Sequence, residues 1–148
     1  MPLEIKLNEE RLLGSLPQLR HILLEATQEF EAFLMRAEDA AGIDLKRCIE
    51  QLEALDMGLN ALPAPGAALT CEELLSLVMM LEEHPQSGTP KTMATIGVGL
   101  LSLNDYLALV DEQGRDLPLL CLDTVNALRQ CSGLSVLMES QVCQFEPR

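Results

Sequence analysis

The chain has 148 residues, enough for one domain with a continuous core, and we expect a single domain over residues 1–148. A net charge of −13 makes its field repel phosphate backbones and anionic lipid headgroups, which argues against nucleic acid and membrane surfaces as partners. Three Phe, one Tyr and no Trp leave the core to aliphatic side chains, which favours packed helices over strands.

Two N-terminal segments repeat apolar residues at alternating spacings of three and four, the pattern of one buried helix face. The first predicted helix, helix A, runs from about Leu16 to Ala37 and ends toward Gly42. The second, helix B, runs from about Asp44, which is available as a cap, to Leu62, where two prolines end the run.

The middle of the chain predicts two more helices. Helix C ends at Glu83 and begins at either Pro65 or Thr70, since Thr70 with Glu73 three residues later reads as a capping box. Helix D opens at Thr89 and Pro90, an N-cap and first-position pair, and stops at 113–114, a Gln-Gly pair.

The C-terminal part predicts one further helix. Helix E opens at Asp116 with Pro118 just inside it and closes near Ser132 and Gly133, whereas the tail from Leu134 to Arg148 fits no single pattern. No segment has a strand period, and the connections are short enough for antiparallel neighbours. We therefore predict an all-α, up-and-down helical bundle of five or six helices.

The predicted core follows from these stripes. Its members are Leu16, Leu19, Leu23, Ala26, Phe30, Phe33 and Ala37 in helix A; Leu45, Cys48 or Ile49, Leu52, Leu55, Leu59 and Leu62 in helix B; Leu69, Leu74, Leu77, Val78 and Leu81 in helix C; Met93, Ile96, Leu100, Leu103, Leu107 and Val110 in helix D; and Leu119, Leu122, Val125 and Leu128 or Ala127 in helix E.

Cysteine usage and the N-terminus predict the compartment. The five cysteines are odd in number, dispersed and set in apolar helical patterns, so we expect reduced core thiols. The first eight residues carry no secretory signal, and no uninterrupted apolar run approaches the roughly 20 residues of a membrane-spanning helix. We expect a soluble, cytoplasmic protein.

The sequence offers no recognisable catalytic, cofactor or metal site. His21 lies among apolar residues of helix A as a structural side chain, and His84 falls in a loop where helical presentation of a phosphoacceptor is lost. The acidic pairs at 72–73 and 82–83 sit beside helix ends and are expected to be solvated. We therefore expect no enzyme activity, no cofactor, no metal and no small-molecule substrate.

Tyr106, the sole tyrosine, lies beside the apolar stripe of helix D. Its ring is expected to pack while its hydroxyl finds a backbone or water partner, and a second interpretation makes it an interaction hot spot.

Short motifs in a consistent order carry a resemblance to a known family. They are Phe30-Glu31-Ala32-Phe33 in helix A, Gly66-Ala67-Ala68-Leu69 followed by Glu72-Glu73-Leu74 in helix C, Leu101, Leu103 and Asp105-Tyr106-Leu107 in helix D, Asp116-Leu117-Pro118-Leu119 and Asn126-Ala127-Leu128-Arg129 in helix E, and Met138-Glu139-Ser140 with Phe145-Glu146-Pro147 near the end. Over roughly Leu16 to Pro147 the chain resembles the degenerate histidine-phosphotransfer (pseudo-HPt) domains of FimL-type scaffolds and of the ChpA/PilL chemosensory kinases.

The resemblance implies an HPt-type bundle whose reactive site is degenerate. An active domain of this family presents His-x-x-Lys/Gln-Gly on its second helix, and counting back from Gly66 places that histidine at Glu53. Asp56 then replaces the basic or amide residue, and Met57 replaces the small residue. A carboxylate does not accept a phosphoryl group as imidazole does, so phosphotransfer is not expected.

The function implied by the resemblance is a protein-binding scaffold in a chemosensory pathway that controls type IV pili, twitching motility and cyclic AMP. Its partners would be other proteins, including ones with basic surfaces. Family members continue past the motif that matches Phe145-Glu146-Pro147, which makes this chain a candidate for the N-terminal part of a longer protein. Two alternatives remain: an active phosphorelay module that uses His21 or His84, and a helical oligomerisation domain that pairs through Leu134 to Val142.

Overall fold

The computed structural model describes the backbone of residues 3–36 and 45–143, and the side chains of residues 10–35 and 45–142. Within these ranges the backbone forms six α-helices and two 3-10 turns, with no strand: α1 (Leu3–Arg36), α2 (Lys46–Asn60), α3 (Pro65–Glu83), α4 (Pro90–Gln113), α5 (Leu122–Cys131) and α6 (Glu139–Cys143), with 3-10 turns at Pro85–Ser87 and Pro118–Cys121. The predicted all-α bundle is confirmed.

Neighbouring helices pack in the order that short connections favour. Helix α1 contacts α2 and α4, α2 contacts α3, and both α3 and α4 contact α5. Arg20 of α1 lies against Asp111 of α4, while Thr27 lies against Asn104, so the two helices run antiparallel. The core is aliphatic, and its largest fully buried side chains are Phe30 together with leucines and an isoleucine from α1 to α4.

Most of the predicted core positions are buried. In α1 to α4 those predicted positions whose side chains are described are buried or half-buried, and both Cys48 and Ile49 are buried. Thr89 caps α4 as predicted, because its hydroxyl accepts a hydrogen bond from the Thr92 N–H at 3.1 Å. Gly114 ends α4 with φ of 76°, a left-handed conformation that glycine adopts without strain.

The predicted start of helix A is wrong. Helix α1 begins at Leu3, about four turns earlier, and carries Pro17 inside it. Leu12 is buried, so the stripe of Leu16 and Leu19 extends toward the N-terminus and holds the additional turns against the bundle. Ala37, Gly42 and Asp44 lie outside the described residues, and α2 begins at Lys46, preceded by Leu45, whose apolar side chain supplies no cap.

Of the two predicted starts of helix C, Pro65 is confirmed and the capping box at Thr70 is wrong. Helix α3 begins at Pro65, and Thr70 lies inside it, where its hydroxyl donates to the Gly66 carbonyl at 2.8 Å. Glu73 is not solvated: it is 6% exposed and its carboxylate meets the Arg129 guanidinium at 2.9 Å. A cation from α5 explains how the carboxylate is tolerated inside the bundle.

Helix E differs from its prediction at the N-terminal end. Pro118 opens a 3-10 turn, and the α-helix α5 starts at Leu122 rather than near Asp116. Leu119, predicted to be buried, is 39% exposed because the turn points it outward. The sequence pattern left open whether Leu128 or Ala127 is buried in the core. Leu128 is buried, and Ala127 is exposed.

The tail contains a short extended segment followed by α6. The Asn126 side chain makes two hydrogen bonds to the backbone of Leu137. Its Nδ2 donates to the Leu137 carbonyl at 3.0 Å, and its Oδ1 accepts from the Leu137 N–H at 2.7 Å. Arg129 Nε donates to the Ser135 carbonyl at 2.6 Å, and Val142 is buried. Side chains of α5 therefore hold the tail against the bundle.

By length and composition alone, helix α4 could cross a membrane, although the sequence has no uninterrupted apolar run of roughly 20 residues. The core helix of a helical bundle can have the same length and composition. Here α4 packs against α1, α3 and α5. The exposed side of α4 includes the apolar side chains of Val98 and Leu101.

Candidate interaction sites

The start of α3 is capped by a carboxylate from a distant part of the chain. Asp116 accepts hydrogen bonds from the Gly66 N–H at 2.7 Å and from the Ala67 N–H at 3.1 Å. These N–H groups have no partner within the helix, and an anion at a helix N-terminus is also favoured by the helix dipole. Asp116 thus joins the loop after α4 to α3, instead of opening helix E as predicted.

Tyr106 is part of the same contact region. Its ring is buried at 8% exposure, and its hydroxyl oxygen accepts a hydrogen bond from the Leu117 N–H at 2.5 Å. Burial, followed by the neighbouring Cys121 and Asp116, raises the pKa of Tyr106 well above its ordinary value. The prediction of a packed ring with a backbone partner for the hydroxyl is confirmed, whereas a role in partner binding stays a prediction.

A groove of about 380 Å³ lies between α4 and the 3-10 turn Pro118–Cys121. We call it the α4 groove; its lining residues are Thr70, Ser102, Leu103, Asp105, Tyr106, Leu109, Leu120, Cys121 and Thr124. Leu120 is 58% exposed at its edge, and Tyr106 contributes to its buried lining. This groove was not predicted from the sequence, although apolar residues off the main stripe of helix D, such as Leu109, were a signal for it.

The predicted degenerate phosphoacceptor position lies elsewhere, on α2. Glu53 is exposed, Met57 is 76% exposed, and Asp56 is half-buried and accepts a hydrogen bond from the Asn60 amide at 3.1 Å. Glu53 lines a groove of about 300 Å³, here called the α2–α3 groove, with Lys46, Ile49, Glu50, Met79, Glu82 and Glu83. The bundle therefore brings Glu53 close to Glu82 and Glu83 of α3. Neither Asp56 nor Met57 belongs to the lining of this groove.

Neither histidine lines either groove. His21 is exposed on α1 and its Nε2 lies 2.7 Å from the Glu25 carboxylate, one turn along the same helix. His84 follows the last residue of α3 and is exposed in the connection to α4, as predicted.

The thiols of Cys48, Cys71 and Cys121 are buried, and Cys131 is half-buried; all four are free. Burial raises the pKa of Cys48 to about 12 and the pKa of Cys121 to about 11. Such thiols stay protonated and unreactive near neutral pH, which fits the predicted core role. The side chain of Cys143 lies outside the described residues.

Comparison with known proteins finds a scaffold relative. The chain is 29% identical over 116 residues to the scaffold protein FimL of Pseudomonas aeruginosa, a match that covers 78% of this chain and 20% of FimL. The chain thus spans about a fifth of the length of that relative. No family model matches, and no solved structure matches. The predicted similarity to FimL is confirmed; the histidine-phosphotransfer type and the likeness to ChpA/PilL stay predictions.

Proposed function

We propose that this chain is a non-catalytic scaffold domain that binds other proteins in a bacterial chemosensory pathway controlling type IV pili, twitching motility and cyclic AMP signalling. The observation that carries the proposal is the identity of 29% over 78% of the chain to a protein named as a scaffold. The grooves described above are surfaces on a bundle whose interior is filled by aliphatic side chains, an arrangement that suits binding between proteins.

We further propose that α2 is the remnant of a phosphotransfer helix. Glu53 and Met57 are both exposed on α2. The family resemblance implies that they replace the histidine and the small residue of an active domain. His21 and His84 lie on α1 and in the loop after α3, away from this position. On this account α2 keeps the fold of a relay module and lacks its nucleophile.

The charge of the domain supports partners with basic surfaces. The net charge is −13, and the α2–α3 groove is lined by four glutamates and a single lysine. Such a field speeds the encounter with a basic protein and excludes acidic competitors.

Deletion of the coding segment in the source bacterium tests this function. We expect a smaller twitching zone and lower intracellular cyclic AMP, both restored by the wild-type chain in its native context. Glu53→Gln should restore both equally well, because no group at this position needs to carry phosphate. Normal twitching and normal cyclic AMP after deletion would contradict the proposed pathway.

A further inference from the structure

One stripe of α4 faces outward along the α4 groove. Val98, Ser102, Asp105 and Leu109 are spaced by four, three and four residues, so they follow one face of the helix for about 16 Å, or about three turns. The last three line the groove, and Val98 continues the same face one turn beyond it. Val98 is 62% exposed, and Leu120 at 58% exposure supplies the opposite edge. Since the inward face of α4 is fully buried, these aliphatic side chains are surplus to the core and form an apolar surface open to a partner.

The groove also offers unused polar groups. Among the described residues, the side chains of Ser102, Thr124 and Asp105 make no hydrogen bond or ion pair, whereas Asp111 at the end of the same helix is paired with Arg20. Asp105 is the one charged side chain in the groove lining. Its carboxylate is therefore available to a cation that the described part of the chain does not supply.

We infer that the α4 groove docks an amphipathic helix of a partner protein, about three turns long, with an apolar face and a flanking Lys or Arg that pairs with Asp105. This inference rests on the proposed scaffold function and supplies the chemistry of the partner. Apolar residues at helical spacing fill a groove walled by Leu109 and Leu120, and the basic flank matches both Asp105 and the acidic chain as a whole.

Charge disfavours two other assignments. A second copy of this chain would bring another net charge of −13 and set Asp105 against acidic surface. The α2–α3 groove is unsuited to an apolar helix face, because Glu50, Glu53, Glu82 and Glu83 leave only Ile49 and Met79 as apolar lining.

A peptide probe tests the inference. The probe is a fluorescein-labelled 18-residue peptide of Leu and Lys arranged to form an amphipathic helix, compared with a peptide of the same composition in scrambled order. By fluorescence anisotropy, the wild-type chain should bind the amphipathic peptide at least about tenfold more tightly than the scrambled one. Scrambling keeps the charge and removes the apolar face, so equal affinity would overturn the inference.

Matched variants locate the binding. Leu120→Ser should weaken binding of the amphipathic peptide about tenfold, whereas Leu119→Ser, which lies outside both the groove lining and the α4 stripe, should leave binding unchanged. Val98→Ser, on the α4 stripe one turn beyond the lining, should weaken binding in the same direction, and circular dichroism confirms that each variant is folded. Equal loss in Leu119→Ser, or no loss in Leu120→Ser and Val98→Ser, would overturn the assignment.

The charge match has its own control. Asp105→Asn should weaken binding about threefold to tenfold at low salt and reduce the salt dependence of binding, while Glu53→Gln in the other groove should do neither.

Light scattering at several protein concentrations tests whether a second copy of the chain occupies the groove. A dimer that becomes monomeric in Leu120→Ser would overturn the inference. If the peptide binds but deletion has no phenotype, the docking role of the α4 groove stands and only the proposed pathway is rejected. If deletion has the expected phenotype but the peptide does not bind, only the docking role of the groove is rejected.

Discussion

Asp116 and Gly66 are separated by 50 residues in the chain, yet the Asp116 carboxylate accepts the Gly66 N–H at 2.7 Å and caps α3. The contact fixes the loop after α4 against the start of α3. It also positions the 3-10 turn that forms one wall of the α4 groove. A stability contact and the candidate docking surface therefore depend on the same loop.

Asp116→Ala should lower the free energy of unfolding by about 2 kcal/mol, because two N–H groups at the start of α3 lose an ionised acceptor. Urea denaturation followed by circular dichroism measures the change. Asp105→Ala, which removes an exposed carboxylate, is the control and should change stability by less than about 0.5 kcal/mol. Equal stability of the two variants would show that the cap is not formed.

The two glycines in the middle of α4 should respond in opposite ways to alanine. A Cβ at Gly97 meets nothing within 4 Å, so Gly97→Ala should stabilise the protein by about 0.5–1 kcal/mol through helix propensity. A Cβ at Gly99 would lie 2.9 Å from Leu74 Cδ2 and 3.2 Å from Leu128 Cδ2, so Gly99→Ala should be destabilising. Thermal unfolding of both variants measures this, and a gain in stability for Gly99→Ala would contradict the packing of α3 and α5 on α4.

Arg129→Met should be strongly destabilising, by about 3–5 kcal/mol, because it leaves the buried Glu73 carboxylate without its cation. The double variant Glu73→Met with Arg129→Met should recover much of the loss, since both charges are then absent. Urea denaturation of the single and double variants completes the cycle. If the losses in stability of Glu73→Met and Arg129→Met simply add in the double variant, the ion pair is not formed.

These positions also show what the sequence could and could not reveal. Helix periods and local caps such as Thr89 are encoded by neighbours in the chain, so the helices and most of the core were predictable. The capping of Gly66 by Asp116 is a long-range contact with no periodic signature. Glu73 lies at stripe spacing with Thr70 and Leu77, but its place in an acidic pair beside a predicted helix end suggested a solvated surface.

The candidate sites were predictable to a lesser degree. Similarity to FimL was visible in short motifs, and Glu53 could be placed on an exposed face of the second helix. The α4 groove was not predicted, because it requires the position of the 3-10 turn relative to α4. The turn opens at Pro118, where the sequence pattern predicted the continuous start of helix E.

Stability should fall as the pH rises above about 9. The pKa of Cys48 is raised to about 12 and the pKa of Cys121 to about 11, so an unfolded chain ionises these thiols at a pH where the folded chain does not. Their contribution to stability is complete below the ordinary thiol pKa near 9 and is lost as the pH rises through about 11–12.

Urea midpoints between pH 7 and 11 measure this dependence. Other groups also titrate in this range, so the wild type is compared with Cys48→Ala, which lacks one buried thiol. Between pH 9 and 11 the stability of the variant should fall less steeply than that of the wild type, and the two slopes should differ by on the order of 1 kcal/mol per pH unit. Identical slopes for the two proteins would contradict the burial of the Cys48 thiol.

Phosphate labelling tests the central claim most directly. The chain is incubated with acetyl phosphate, and separately with a phosphorylated response regulator, and acid-labile phosphate is then measured on wild type and on His84→Ala and His21→Ala. A scaffold that lacks the relay nucleophile should retain no acid-labile phosphate in any of the three proteins. Stable label on the wild type that disappears in His84→Ala or in His21→Ala would contradict the account and identify an active relay.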